Sequence, residues 1–106
     1  MSVPEISVQE LEALQKAGAD IIILDVRNPD EYAICNLNGY LIPMSELPTR
    51  FKELNPDKQI IVHCHAGGRA RRATELLIQH GFKRVFNLRG GITAWANEIN
   101  TMMPKY

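Results

Sequence analysis

The chain has 106 residues, 45% of them hydrophobic, which is one ordinary domain with enough apolar material for one core. Its 12 basic and 12 acidic residues cancel, with a sequence pI near 6.8, which argues against a nucleic-acid-binding face or a polybasic membrane patch. No apolar run approaches the ~20 residues of a membrane span, Met1-Ser2-Val3-Pro4-Glu5 lacks the basic start and apolar core of a signal peptide, and two cysteines without a secretory signal read as free thiols in a reducing cytoplasm.

In chain order, Ser7-Val8-Gln9-Glu10 fits a capping box that starts a helix. Val8, Leu11 and Leu14 face one way along it, and Gly18 stops it. Ile21-Ile22-Ile23-Leu24 is a fully apolar strand, expected to be covered on both faces, and it ends at Asp25-Val26-Arg27. Asn28-Pro29-Asp30-Glu31 opens a second, short helix, with asparagine at the cap and glutamate at the capping-box position. Leu41-Ile42 reads as a brief strand, and Ser45-Glu46-Leu47-Pro48 opens a third helix with Leu47, Phe51 and Leu54 as its apolar stripe. Ile60-Ile61-Val62 is a β-branched central strand, and the spacing of Ala70, Ala73, Leu76, Leu77 and His80 predicts a helix after it. Val85-Phe86 is a further strand. Gly90-Gly91 leads into a last helix with Ile92, Trp95, Ala96 and Ile99 on one side. The tail, Met102-Met103-Pro104-Lys105-Tyr106, carries no clear element. Strands alternating with helices imply an α/β fold with a mainly parallel sheet. Sites in such sheets form beyond the carboxyl ends of the strands, so Asp25-Val26-Arg27 and the segment from Cys64 to Arg69 are expected to meet at one rim.

The chemistry centres on Cys64-His65-Ala66-Gly67-Gly68-Arg69. A loop that feeds a helix N-terminus turns free backbone N–H groups inward, with the positive end of the helix dipole behind them, and so forms an anion-binding cup. A thiolate is the reactive form of cysteine, and such a cup with Arg69 beside it favours that form. An inert buried thiol is the plain alternative for an isolated cysteine, and the glycine–arginine context weighs against it. Gly67 and Gly68 are expected to take positive φ and let amides converge on an anion, although the pair also suits an ordinary tight turn. Arg69 either binds an oxyanion through its fork or closes the loop onto a carboxylate. Arg71 and Arg72 read as surface charges. His63 reads as a structural strand end, and His65 as a residue of the pocket mouth that adds positive charge when protonated. Asp25 is expected to hold the second rim, and Arg27 to meet an anionic substrate, with a surface ion pair as the plain alternative. Cys35 reads as a small buried apolar residue, with a resolving thiol for Cys64 as the less favoured reading. A zinc site from His63, Cys64, His65 and Cys35 lacks metal-ligand spacing.

With these residues in place, the chain resembles a rhodanese domain over almost its whole length. The resemblance is carried by Asp25-Val26-Arg27-Asn28-Pro29-Asp30-Glu31-Tyr32, by Gly39 with Leu41-Ile42-Pro43, by Cys64 to Arg69, and by Asn87-Leu88-Arg89-Gly90-Gly91-Ile92-Thr93-Ala94-Trp95. Within the family it looks most like the C-terminal rhodanese domain of the adenylyltransferases that serve molybdopterin and thiamin sulfur-carrier proteins. Ile34-Cys35-Asn36-Leu37-Asn38-Gly39 and Pro104-Lys105-Tyr106 carry that closer likeness.

The resemblance implies one three-layer rhodanese domain over residues 1–106, with helices on both faces of the sheet, no cofactor and no metal. It implies sulfur transfer. Cys64 would take the outer sulfur of thiosulfate or a low-molecular-weight persulfide, hold it as a persulfide, and pass it to cyanide, a thiol or a sulfur-carrier protein. By the same resemblance, the loop amides of His65, Ala66, Gly67, Gly68 and Arg69 cradle the persulfide, Arg69 closes the loop, and Arg27 helps hold the donor. The Cys-x4-Arg spacing differs from the longer Cys-x5-Arg loop of cysteine-dependent phosphatases, so a phosphatase or arsenate reductase is disfavoured. A rhodanese-fold interaction module with little turnover is the other alternative, and the presence of Cys64 weighs against it. Gly68 stands where a bulkier residue is usual and Ala70 where many members carry a serine, so a more flexible loop with one hydroxyl fewer is expected.

Overall fold

The computed structural model describes residues 3–106; Met1 and Ser2, part of the stretch read for a leader, lie outside the described residues. Five strands form one sheet: β1 (Glu5–Ile6), β2 (Ile21–Asp25), β3 (Tyr40–Leu41), β4 (Gln59–His63) and β5 (Val85–Leu88). Their spatial order is β1-β5-β4-β2-β3, and every neighbouring pair is parallel. The register of the central pair sets Ile22 beside Ile60, Leu24 beside Val62, and Asp25 beside His63. Both central strands therefore end level, and the chain segments that follow them emerge at the same rim.

The helices are α1 (Val8–Lys16), α2 (Pro29–Ile34), α3 (Leu47–Arg50), α4 (Gly68–Gln79) and α5 (Gly91–Glu98), with a 3-10 turn at Phe51–Glu53 after α3. The apolar positions of β4 alternate between two layers. Ile60 and Val62 join Leu47, Ala70, Ala73 and Leu77 in one core cluster, whereas Ile61 joins Val8, Leu11, Leu37, Ile92 and Trp95 in the other. Ile60, Ile61 and Val62 are completely buried, and each such side chain contributes about 1.5–3 kcal/mol relative to leaving it in water. A parallel sheet covered on both faces explains the unbroken apolar runs of the two central strands. Among the described residues no helix is long and apolar enough to cross a membrane.

The local signals place most element starts. The Ser7 side chain accepts from the Glu10 N–H at 3.1 Å while Glu10 accepts from the Ser7 N–H at 3.0 Å. At α2, Glu31 accepts from the Asn28 N–H at 3.1 Å. The differences have physical causes. The edge strand β1 has two residues, too few for a periodic pattern to show. The third strand lies one residue earlier than expected, at Tyr40–Leu41. The helix expected after Ser45 is four residues long and tightens into the 3-10 turn, and no side chain caps it. The fourth helix begins at Gly68, two residues before the first apolar position that announces it, because a helix's first turn need not bury anything.

Candidate active site

Cys64 follows the last residue of β4 and is 1% exposed. Its Sγ accepts hydrogen bonds from the Gly67 N–H at 3.1 Å and the Ala70 N–H at 3.4 Å. Gly67 is the N-cap of α4 and has no side chain to offer the helix. The thiol sulfur of Cys64 takes that place, so the sulfur sits on the axis end where the helix dipole is positive. The N–H groups of Gly68 and Arg69 lie in the same first turn, before the helix's own hydrogen-bond ladder begins. The sulfur is thus set against two amides at the start of α4.

Two helices hold the loop. The Ile92 N–H donates to the Cys64 carbonyl at 3.0 Å, and the Thr93 N–H and Oγ1 donate to the His65 carbonyl at 3.0 and 2.8 Å. This places the N-terminus of α5 directly against the active loop. Gly91 makes the approach possible: it has φ +60°, and a Cβ there would lie 2.5 Å from the His65 oxygen and 2.7 Å from the Cys64 oxygen. Positive φ occurs at Gly67 (φ +129°) but not at Gly68, so the expectation of two left-handed glycines is half met. Gly68 is simply the first helical residue, and Ala66 and Gly68 are both exposed on the loop.

Arg69 closes the loop onto a carboxylate rather than standing free. Its Nη1 lies 2.6 Å from Glu31 Oε1 and its Nη2 2.9 Å from Glu31 Oε2. The Arg69 guanidinium, opposed by partial burial and helped by the Asn28 N–H and the Tyr106 hydroxyl, holds the Glu31 carboxyl down at about 2. The same pairing raises the Arg69 guanidinium above its ordinary value.

Asp25 and Arg27 are both completely buried, which corrects their assignment to substrate binding. Arg27 Nε lies 2.9 and 3.1 Å from the two Asp25 oxygens. Its Nη2 donates to Asp25 Oδ2 and to the Cys35 carbonyl, both at 2.7 Å. Its Nη1 donates to the Glu31 carbonyl at 3.2 Å and to the Tyr106 hydroxyl at 2.9 Å. All five guanidinium N–H groups are thus spent inside the protein, leaving none for an incoming anion. The pair is a buried brace under the rim, neither a surface ion pair nor a donor clamp.

His63 is completely buried, with Nε2 3.6 Å from Asp25 Oδ2 and without a hydrogen-bond partner, and burial lowers its pKa despite that carboxylate. His65 is half-buried and its ring stacks on Tyr106. A cleft of about 200 Å³ opens beside it, lined by Cys35, His65, Ile92, Asn97, Lys105 and Tyr106. Cys35 is buried within the second core cluster, and both cysteines are free thiols. Arg71 and Arg72 are exposed on α4, as expected. Among the described residues no group of three or more His, Cys, Asp or Glu side chains is arranged to hold a metal ion.

Sequence reasoning misses Glu31, Gly91, Thr93 and Tyr106 as site residues. All four lie in motifs that carry the family resemblance, but nothing in those motifs says which partner each meets: Glu31 reads as a capping residue, and its carboxylate also takes Arg69.

Comparison with known proteins places the chain in a family. The rhodanese-like domain model matches residues 7–98. A sulfurtransferase of Allochromatium vinosum is 37% identical over 95 residues, 89% of each chain. A Bacillus subtilis protein named as a candidate sulfur carrier, YrkF, is 34% identical over 98 residues, and the chain spans 53% of its length. Among solved structures, a rhodanese-related protein from Thermoplasma volcanium superposes with a TM-score of 0.82 at 35% identity, covering 91% of this chain and 93% of that one. A thiosulfate sulfurtransferase from Pseudomonas aeruginosa gives a TM-score of 0.81 at 33% identity, with 90% of this chain matching 19% of that one. By its parallel sheet, its cysteine loop and these matches, the chain belongs to the rhodanese-like domain family.

Proposed function

We propose that the protein is a sulfurtransferase that moves a sulfane sulfur through a persulfide on Cys64. The observation that carries this reading is the Cys64 sulfur held by the amides of Gly67 and Ala70 at the start of α4. The family and a relative named sulfurtransferase support the reaction class. Cys64 as thiolate attacks the outer sulfur of the donor. With thiosulfate, the S–S bond breaks and sulfite leaves with its electron pair; with a low-molecular-weight persulfide, the thiolate of the carrier leaves. The new Cys64 persulfide carries its negative charge on the outer sulfur, where amides already pointing inward stabilise it without reorganising. Cyanide, a thiol or the sulfur-bearing terminus of a carrier protein then attacks that outer sulfur, and Cys64 leaves as thiolate. The likeness to YrkF supports a carrier as acceptor.

The burial of Cys64 suits a sulfane sulfur, which projects as a single atom from its donor. The pairing of Arg69 with Glu31 argues against phosphoryl transfer, which calls for an arginine fork free to hold phosphate oxygens.

Intact-mass analysis after mixing with thiosulfate or glutathione persulfide tests the reading. A gain of ~32 Da on Cys64, lost in Cys64→Ala, is the expected result, as for a persulfide, with thiocyanate released on adding cyanide. Absence of any adduct across the donors overturns it.

A further inference from the structure

Tyr106 lies beside the cup and touches three of the segments that build it. Its ring stacks on the His65 ring, with centroids 4.1 Å apart and planes 17° from parallel. Its hydroxyl accepts from Arg27 Nη1 at 2.9 Å and donates to Glu31 Oε2 at 2.9 Å. The Arg27 guanidinium carbon lies 5.8 Å from the ring centroid. To serve both partners the hydroxyl must keep its proton. Burial holds the phenol above its ordinary value, the bond from Arg27 opposes this, and the neighbouring Glu31 carboxylate adds to it.

One side chain thus joins the Asp25–Arg27 brace at the end of β2, the Glu31–Arg69 fork that closes the loop, and the residue directly after the nucleophile. We propose that Tyr106 is a positioning residue for Cys64. It acts through Glu31 and His65 and does not touch the reacting sulfur. Its hydroxyl fixes the Glu31 carboxylate in the orientation that Arg69 grips, and its ring restrains the His65 side chain, whose carbonyl Thr93 holds. Residues 64–69 are then clamped at both ends, so the amides that meet the sulfur are aimed before any charge develops on it. A loose clamp lets the amides splay and weakens the cup for anions.

The proposal rests on the sulfur-transfer reading for its catalytic consequence, but its geometry is testable without sulfur chemistry. Cys64 alkylation by iodoacetate (an anion) and iodoacetamide (neutral) is followed by peptide mass mapping, well below the melting temperature of each variant. Tyr106→Phe keeps the stack and loses both hydrogen bonds; Tyr106→Ala loses all three contacts. The expected result is a fall of about threefold in Tyr106→Phe and about tenfold in Tyr106→Ala in the iodoacetate rate, with a smaller fall for iodoacetamide, and matching losses in kcat for sulfur transfer. A role confined to stability lowers the melting temperature and leaves the ratio of the two alkylation rates unchanged. Rates and ratio within twofold of the parent in both folded variants overturn the proposal. A changed ratio in a protein that forms no persulfide with any donor upholds the positioning role and overturns the sulfur-transfer reading instead.

Discussion

Glu31 and Arg69 stand 38 positions apart in the chain and meet as a two-bond fork, 2.6 and 2.9 Å long, that ties α2 to the first turn of α4. The fork is only partly exposed, with side-chain accessibilities of 15% for Glu31 and 29% for Arg69. It is thus better placed than a surface pair to hold a loop, and Arg is the residue suited to it, because Lys cannot reproduce the planar two-point contact. Arg69→Lys and Glu31→Gln are each expected to lower stability by ~1–2 kcal/mol. Each should also slow persulfide formation by about tenfold through misplacement of the loop amides. A double-mutant cycle in urea melts checks the coupling. Equal losses in the single and double variants locate both residues in one interaction, whereas additive losses separate them.

The three loop glycines are expected to behave differently. Gly91→Ala drives a Cβ against the Cys64 and His65 carbonyls at a residue with φ +60°, so it should cost about 2–4 kcal/mol and lower activity with it. Gly67→Ala meets no neighbour within 4 Å and carries only its backbone strain at φ +129°, about 1–3 kcal/mol. Gly68→Ala meets neither obstacle and should be neutral or stabilise by up to ~1 kcal/mol by restricting the unfolded chain. Chemical denaturation of the three variants ranks them; a Gly68→Ala loss as large as that of Gly91→Ala contradicts this account of the loop.

Arg27 is expected to matter through the fold. Arg27→Ala leaves the Asp25 carboxylate buried without its main partner, at a cost of about 3–5 kcal/mol. The melting temperature should therefore drop steeply. For any variant that stays folded, the KM for thiosulfate should remain near that of the parent, because no Arg27 donor faces the cup. A selective rise in KM without loss of stability would return Arg27 to donor binding.

Stability should fall with acid in two windows. His63 has its pKa lowered by burial from the ordinary 6.5, so the unfolded chain binds the extra proton first. Its contribution is complete above pH 6.5 and declines as pH falls below that value. Glu31, held at about 2 rather than 4.5, contributes fully above pH 4.5 and loses that contribution as pH falls from 4.5 to about 2. Thermal melts across this range should show both legs. Glu53, hydrogen-bonded to Arg50, is also held at about 2 and titrates in the same window, so Glu31→Gln should shrink the lower leg without abolishing it and leave the upper one, and an unchanged profile in that variant would refute the assignment.

Much of the fold is legible in the residues themselves because its signals are local. The capping boxes at Ser7 and Asn28, the β-branched runs of β2 and β4, and the cysteine–glycine–arginine loop each sit within a few consecutive positions. What stays hidden depends on distance. Arg27 follows a strand and looks like a rim charge; only the fold brings the Glu31 and Cys35 carbonyls and Tyr106 around it. Glu31 occupies a capping position that explains a glutamate without Arg69. Gly91 resembles any glycine that opens a helix until the Cys64 and His65 carbonyls arrive against it. The choice between a free and a paired Arg69 is settled by a partner that no spacing rule reaches.

The contact of α5 with the loop has an electrical consequence. Peptide units are planar and trans, so a unit whose oxygen faces one way aims its hydrogen the other way. The Cys64 and His65 oxygens face the N–H groups of Ile92 and Thr93, which turns the N–H groups of His65 and Ala66 away from α5. Hydrogen bonds in series polarise one another, so each donation from α5 makes the far-side amide a stronger donor. Two helix dipoles therefore work on one loop. α4 acts on the sulfur directly, through the Gly67 and Ala70 amides that meet it, while α5 acts through the two loop peptides between Cys64 and Ala66 and makes their N–H groups stronger donors.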